Sequence, residues 1–453
     1  MISPLPELGT TLKETRSRCP ECQTDVPARV WKTGESPAKV YLTRTCPEHG
    51  SATACISSDA RFYWLSTGKE SNSCGAGCAC SADPSGLTGT LGKNAYPDAI
   101  DTVETLSTCL ALIEIVDSCN LSCPTCFAAS PIGVGSNLQA KPLPDLKQRI
   151  SGVLERKGGI EILQLSGGEP TLHPQLFELI DWIHEEPRID YTLVNTNGVL
   201  IAKDDEFLAE LGKRARRGNF QLYLQFDGLQ EAGQKELRGA DLREMKRKVM
   251  QRCEAEKIPV TLAVTVNEHN LAQLWNVIEF GLSFECCRGV SFQPMFLSGR
   301  NPEDNGSRHL NTADIILNCV EQGEGRLKFE DFTPLPCGDP NCATIGYLLR
   351  TPLGTRSISD FIDFTQVQDF LRDKVNYELA DLQTCGCENT ELGALLHRFE
   401  MTEKDTFRLF IKPFMDAWNW DQDRIDRCCT HVIRPDGKLD SFCRYYSGFP
   451  DCK

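Results

Sequence analysis

The residues with the most chemistry in this chain are Cys119, Cys123 and Cys126, set in Asp117-Ser118-Cys119-Asn120-Leu121-Ser122-Cys123-Pro124-Thr125-Cys126-Phe127. The spacing C-x3-C-x2-C puts three thiolates in one short loop. Three thiolates can hold a four-iron cluster and leave one iron open to a small molecule. A zinc knot would use two C-x2-C pairs, or one pair followed by histidines, and this loop lacks that fourth partner. A second signal is Ser166-Gly167-Gly168-Glu169-Pro170. Two adjacent glycines leave backbone groups open to a ligand, and Glu169 offers an acceptor to a cationic amine.

These loops need elements to hold them. Leu110 to Val116, ahead of the cysteines, is an apolar run. Leu143, Leu146, Ile150, Val153 and Leu154 then recur at helical spacing, and Ile160 to Leu165 is apolar again. The alternation continues through strands at Tyr191–Thr196, Gln221–Phe226, Pro259–Val266 and Gly289–Gln293, with helical stretches between them, including a charged run from Asp241 to Lys257. Six strands separated by helices predict an α/β fold with a parallel sheet, and periodicity alone allows either a barrel or a doubly wound sheet. Polar residues end the later strands: Asn195, Thr196 and Asn197, then Gln225 and Asp227, then Thr265, then Gln293. They suit a ligand at the strand ends, and Asn, Asp and Thr suit helix capping equally well.

With the Cys119–Cys126 loop and the Gly167–Pro170 loop one strand later, the chain resembles the radical S-adenosylmethionine (radical SAM) superfamily. The resemblance implies a partial (β/α)6 barrel with its chemistry at the C-terminal ends of the strands. It implies a 4Fe-4S cluster on Cys119, Cys123 and Cys126 and S-adenosylmethionine (SAM) bound to that cluster. Gly167, Gly168, Glu169 and Pro170 would then meet the amino group of SAM, and Asn195, Thr196 and Asn197 its ribose or carboxylate. Gln225, Asp227, Thr265 and Gln293 would face SAM or substrate. The implied activity is cleavage of SAM to a 5'-deoxyadenosyl radical that removes hydrogen from an unactivated carbon. One departure is Thr125, which stands where many members carry an aromatic beside adenine.

Cysteines also crowd both flanks. Residues 1–70 read as a rubredoxin-like or zinc-ribbon-like knuckle for one mononuclear iron or zinc, on Cys19, Cys22, Cys46 and Cys55, with His49 or a cysteine of the next group as the alternative fourth ligand. Residues 71–105 read as a connector carrying Cys74, Cys78 and Cys80 among glycines, a second ligand group. Residues 106–300 form the barrel, and residues 301–453 read as a domain built on one or more auxiliary 4Fe-4S clusters. Its candidate ligands are Cys337, Cys342, Cys385, Cys387, Cys428, Cys429 and Cys443. The Cys-Pro-Glu turns at Cys19 and Cys46, the Cys337 region and the stretches around Phe414, Cys428 and Cys443 resemble one branch of the superfamily. That branch contains tetraether synthase and the archaeal 7,8-dihydro-6-hydroxymethylpterin methyltransferase. Cys109, Cys253, Cys286, Cys287 and Cys319 lie in apolar surroundings and read as packing, and His173 as structural.

The 453 residues carry a net charge of -15, which argues against nucleic acid as a partner. The 23 cysteines, odd in number and closely grouped, suit metal ligation in a reducing, cytoplasmic setting better than disulfides. No stretch of about 18 apolar residues is present for a transmembrane segment. The expected activity is a radical SAM enzyme forming a carbon-carbon bond: methylation or alkylation of a small molecule, or coupling of lipid chains. A reductase with flavodoxin, or a ferredoxin, would donate electrons. The alternatives are a peptide-modifying maturase, whose tail motif is missing here, and a non-catalytic iron-sulfur electron carrier.

Overall fold

The computed structural model describes residues 9–64, 108–301, 309–335, 338–361 and 405–448. The chain opens with β1 (Thr10–Arg18), β2 (Asp25–Lys32), β3 (Val40–Cys46) and β4 (Gly50–Ser57), an antiparallel meander in sequence order. Alternation along β2 and β3 turns Ala28, Val30, Val40 and Leu42 into one small core. A core of that size stabilises little by itself.

The main sheet begins with β5 (Leu110–Val116), β6 (Ile160–Gly167), β7 (Ile189–Thr196), β8 (Phe220–Gln225), β9 (Val260–Val266) and β10 (Cys287–Pro294). These pair in sequence order and all run parallel. A doubly wound sheet reverses its order partway along, and this one does not, so the winding is that of a barrel. The helices Leu143–Lys157, Leu176–Glu185, Asp205–Ala215, Arg243–Glu256 and Leu274–Leu282 lie between the strands. Their apolar faces pack on outward strand residues such as Ile113, Ile115, Leu163 and Leu165 in one continuous core. The partial (β/α)6 barrel is therefore present at the predicted strands.

The region after residue 301 does more than form an appendage. β11 (Thr333–Pro334), β12 (Thr344–Thr351) and β13 (Gly354–Ser357) lead to β14 (Thr406–Ile411), which pairs parallel with β10, Phe292 opposite Ile411. β15 (Thr430–Ile433) pairs parallel with β5, Thr430 opposite Leu110, and carries β16 (Leu439–Ser441) on its far side. Two C-terminal strands thus extend the six from both edges, giving eight parallel strands in the order β14-β10-β9-β8-β7-β6-β5-β15.

The N-terminal meander docks on the segment between β14 and β15. Buried Arg44 donates through Nη1 to the carbonyls of Ala417 (2.8 Å) and Trp418 (2.6 Å), and Lys13 pairs with Asp421 and Asp423 at 2.7 and 2.8 Å. Arg18 lies over the fully buried Trp420 ring at 5.6 Å.

Candidate active site

Cys119, Cys123 and Cys126 follow β5 and line a cavity of about 300 Å³ inside the barrel, a volume typical of small-ligand sites. Their loop is stitched on both sides. Cys119 N–H donates to Pro131 O (2.8 Å) and Gly133 N–H to Cys119 O (3.0 Å), while Cys126 and Arg300 exchange backbone bonds of 2.7 and 2.9 Å. Arg300 also donates through Nε to Cys123 O at 2.7 Å. The donor set fits a three-thiolate cluster: three sulfurs on one loop facing one cavity, with Leu121 N–H directed at Cys119 Sγ (3.4 Å). Burial pushes the Cys119 thiol up to about 12, so iron rather than solvent would have to draw off its proton.

The Gly167-Gly168 pair serves close packing as well as ligand access. Gly167 has φ +118, and a Cβ there would stand 2.0 Å from Val116 O; one on Gly168 would stand 2.1 Å from Ser118 O. The two glycines let β6 press against the start of the cysteine loop. Glu169 is buried and collects bonds at both oxygens. Thr171 Oγ1 (2.6 Å) and Thr196 Oγ1 (2.7 Å) donate to one, and Asn197 N–H (2.7 Å) to the other. Desolvation raises its pKa against these donors. Glu169 thereby ties the ends of β6 and β7 together. Pro170 begins a 3-10 turn beside it.

The strand-end residues Asn195, Thr196, Asn197, Gln225, Asp227, Thr265 and Gln293 line the same cavity as the three cysteines. Several hold each other. Asn195 Nδ2 donates to Ser166 Oγ (3.0 Å), Gln293 Nε2 to Tyr223 OH (2.7 Å), and Asn197 Nδ2 to Asn120 Oδ1 (2.6 Å). Asp227, at φ +62, gives both oxygens to Arg238 (2.6 and 2.9 Å) and is wholly buried, which makes it the anchor of that arginine. The same guanidinium donates to Thr125 O and Thr265 Oγ1, both at 3.1 Å, and lies beside Cys123.

Arg238, Lys246, Arg300 and Lys412 escaped sequence reasoning. Lys246 is buried under the site, donates to Asn197 O at 2.6 Å, and is lowered by burial to about 8. It sits in a charged helix that reads as solvated, and nothing in that run marks the one lysine that turns inward.

Two further thiol sets lie away from the barrel loop. At the ribbon turns, Cys19, Cys22, Cys46 and His49 bring one ligand atom each within 4.8 Å of one another. Their separations are 3.8 Å for Cys22 Sγ to Cys46 Sγ, and 3.7 and 3.5 Å from His49 Nδ1 to Cys19 and Cys46. A tetrahedral zinc with ordinary bond lengths requires edges of about 3.8 Å between sulfurs and about 3.6 Å from sulfur to nitrogen. The set fits a Cys3His site. Cys55, expected as a ligand, is not in the group: it lies mid-strand on β4, five residues or roughly 16 Å along from the turn at Gly50.

In the C-terminal region Cys342, Cys428, Cys429 and Cys443 are described. Cys342 and Cys443 flank the buried guanidinium of Arg424, and Met415 N–H points at Cys443 Sγ (3.4 Å). Cys429 also lines the barrel cavity, with Cys109. Cys74, Cys78, Cys80, Cys337, Cys385 and Cys387 lie outside the described residues. Cys253, Cys286, Cys287 and Cys319 are buried, with their thiols pushed up by burial, in keeping with packing. His173 is structural: its Nε2 meets Lys141 O at 2.8 Å and its Nδ1 accepts from Gln175 N–H.

A parallel barrel with a three-cysteine loop after its first strand and a glycine-glycine-glutamate turn after its second is the arrangement of a radical SAM domain. Residues 113–281 match the model of the radical SAM superfamily, and residues 11–58 match the HMPTM N-terminal zinc ribbon domain. Over nearly its whole length the chain is similar to the 7,8-dihydro-6-hydroxymethylpterin dimethyltransferase of Methanocaldococcus jannaschii, 26% identical across 96% of this chain and 93% of that protein. Shorter similarities reach the GTP 3',8-cyclase of Alkaliphilus metalliredigens (28% identical, 34% of this chain and 46% of the relative) and the PqqA peptide cyclase of Bradyrhizobium diazoefficiens (28%, 41% and 47%). Among solved structures, SAM-bound SuiB of Streptococcus suis aligns with 48% of this chain and 49% of its own at 16% identity, with a TM-score of 0.37. No described helix is long and apolar enough to cross a membrane.

Proposed function

We propose that this radical SAM enzyme forms a carbon-carbon bond on a small heterocycle, as a methyl or one-carbon transferase acting on a reduced pterin. The observation that carries this reading is one cavity shared by the three cluster cysteines and a wall of amide and hydroxyl side chains, Gln164, Asn195, Gln221, Gln225 and Gln293 among them. Amides offer donors and acceptors side by side, which suits the edge of a nitrogen heterocycle better than a lipid chain. The full-length likeness to a pterin dimethyltransferase supports the same choice, whereas the peptide cyclase likeness covers less than half of either chain.

When bound, the cluster on Cys119, Cys123 and Cys126, with SAM, would supply a 5'-deoxyadenosyl radical competent to take hydrogen from an unactivated carbon. The chain's own residues orient and enclose. Glu169 fixes the β6 and β7 ends, Asp227 and Arg238 fix the β8 and β9 ends against the cysteine loop, and Arg300 holds that loop from the far side. Such fixed polar walls hold the reacting carbon in place and keep water out. Cys342, Cys428, Cys429 and Cys443 would hold an auxiliary cluster. Arg424, buried among them with its Nε unpartnered, is a cation that a thiolate-ligated cluster would complement. The ribbon would hold zinc on Cys19, Cys22, Cys46 and His49.

The test is an anaerobic assay of reduced, iron-reconstituted protein with 7,8-dihydro-6-hydroxymethylpterin and excess SAM, one molecule supplying the radical and a second the methyl group, following 5'-deoxyadenosine, S-adenosylhomocysteine and the pterin mass. Deoxyadenosine and a pterin heavier by one carbon unit are expected, both lost in Cys123→Ala. Deoxyadenosine without any change in pterin mass would remove the substrate assignment. Failure to bind SAM in well-reconstituted protein would remove the enzyme reading and leave an electron carrier.

A further inference from the structure

The chain carries a net charge of -15, yet its barrel cavity is lined by four cations, Arg238, Arg300, Arg408 and Lys412, against two carboxylates, Glu169 and Asp227. Both carboxylates are occupied: Asp227 by Arg238, and Glu169 by Thr171, Thr196 and Asn197. Arg300 directs its guanidinium at the carbonyls of Cys123 and Ser130. Lys412 is different. Its ammonium donates to Thr430 Oγ1 at 2.7 Å and stands 5.7 Å from the centre of the Phe414 ring. Among the described residues no carboxylate lies within ion-pair distance of it.

The placement follows from strand alternation. Along β14, Phe407, Leu409 and Ile411 join the outer core, so Arg408 and Phe410, with Lys412 just beyond, fall on the opposite face and line the cavity. Lys412 then reaches Thr430, the first residue of β15. β14 and β15 border the two ends of the six-stranded run, so this contact spans the barrel's unpaired seam. Lys412 is a half-buried cation on the cavity wall, held by one hydroxyl and one ring, with the Cys443 thiol in electrostatic reach and no carboxylate paired to it, and an anionic oxygen group is a ligand it can take.

We propose that Lys412 forms an anion subsite at the barrel seam that takes a phosphate or carboxylate group carried by the substrate. This rests on the reading of the cavity as the substrate chamber and adds that the substrate is an acid or a phosphate ester rather than the neutral alcohol.

The experiment compares three substrates on the reconstituted full-length protein: 7,8-dihydro-6-hydroxymethylpterin, its phosphate ester, and the corresponding 6-carboxylate. KM is read from deoxyadenosine formation in wild type, Lys412→Met and Lys412→Arg. A KM at least ten-fold lower for one of the anionic forms than for the alcohol is expected in wild type, with the ratio collapsing in Lys412→Met and returning in Lys412→Arg. Whether the ester or the acid is preferred decides between phosphate and carboxylate. Equal KM values in wild type, or a preference that survives in Lys412→Met, would overturn the subsite. Should no pterin support turnover, the substrate reading fails by itself, and calorimetric titration of the same proteins with inorganic pyrophosphate and with succinate decides the subsite. Binding of either that weakens at least ten-fold in Lys412→Met upholds it, and no binding to wild type overturns it.

Discussion

Arg238 grips both carboxylate oxygens of Asp227, at 2.6 and 2.9 Å, with both side chains buried and the guanidinium beside Cys123. An ion pair in that setting is costly to break from one side, since the survivor is a buried charge without a partner. Asp227→Asn is expected to lose about 3–5 kcal/mol in urea denaturation. The double variant Asp227→Asn/Arg238→Met should recover part of that loss. A double variant less stable than the sum of the two singles would show that the pair is not the unit it looks to be.

Gly168 meets Ser118 O so closely that any side chain must push the cysteine loop away. Gly168→Ala is therefore expected to retain its helices by circular dichroism but to keep less than half the iron of wild type after reconstitution and desalting. Full iron retention would mean that the loop accommodates the shift.

The ribbon geometry separates two fourth ligands. Cys22→Ser and His49→Ala are expected to lose the ribbon metal, measured by elemental analysis against protein, and to lower the melting temperature through the small core that the metal supports. Cys55→Ser should keep the metal, because its position on β4 is too far from the turns.

Lys246 gives a pH dependence whose sign is fixed. Its folded-state pKa of about 8 is below the ordinary 10.5, so between these values the unfolded chain holds more protons and stability rises with pH. Below pH 8 the penalty of charging the buried amine is present in full. The predicted gain from pH 8 to 10.5 is up to about 3 kcal/mol, read as the difference in slope between wild type and Lys246→Met. Parallel pH profiles for the two proteins would show that the amine titrates in the folded protein as it does in the unfolded chain.

Arg44 joins the ribbon to the segment ahead of the C-terminal thiols through two carbonyls and the Trp418 ring. Arg44→Ala is expected to cost about 2–3 kcal/mol, from lost charged hydrogen bonds and stacking, and to speed proteolysis between the ribbon and the barrel. Unchanged proteolysis would mean that Lys13 with Asp421 and Asp423 suffices.

The six barrel strands and both signature loops were legible because each is local: an apolar run, then a turn whose residue types have one chemistry. The strand-end polar residues were legible as a set, though Asp227 serves its neighbour Arg238, a pairing eleven positions along that no periodicity reveals. Likewise β14, Thr406–Ile411, alternates cleanly, but its partner β10 ends more than a hundred positions earlier, and register over that distance is not written in either segment. Cys55 looked as suitable as His49 because spacing reports proximity in sequence, whereas β4 carries it away from the turn.

The C-terminal origin of β14 and β15 has a consequence for synthesis. A ribosome that has released residues up to 294 has made all six central strands, yet both outer edges, at β5 and β10, still await partners more than a hundred residues downstream. Unpaired parallel edges invite association with other chains. The same gap leaves the Cys119 loop reachable from the side until Lys412 meets Thr430, so the interval before the last strands dock is when iron delivery would be least obstructed, and when oxygen would do most harm.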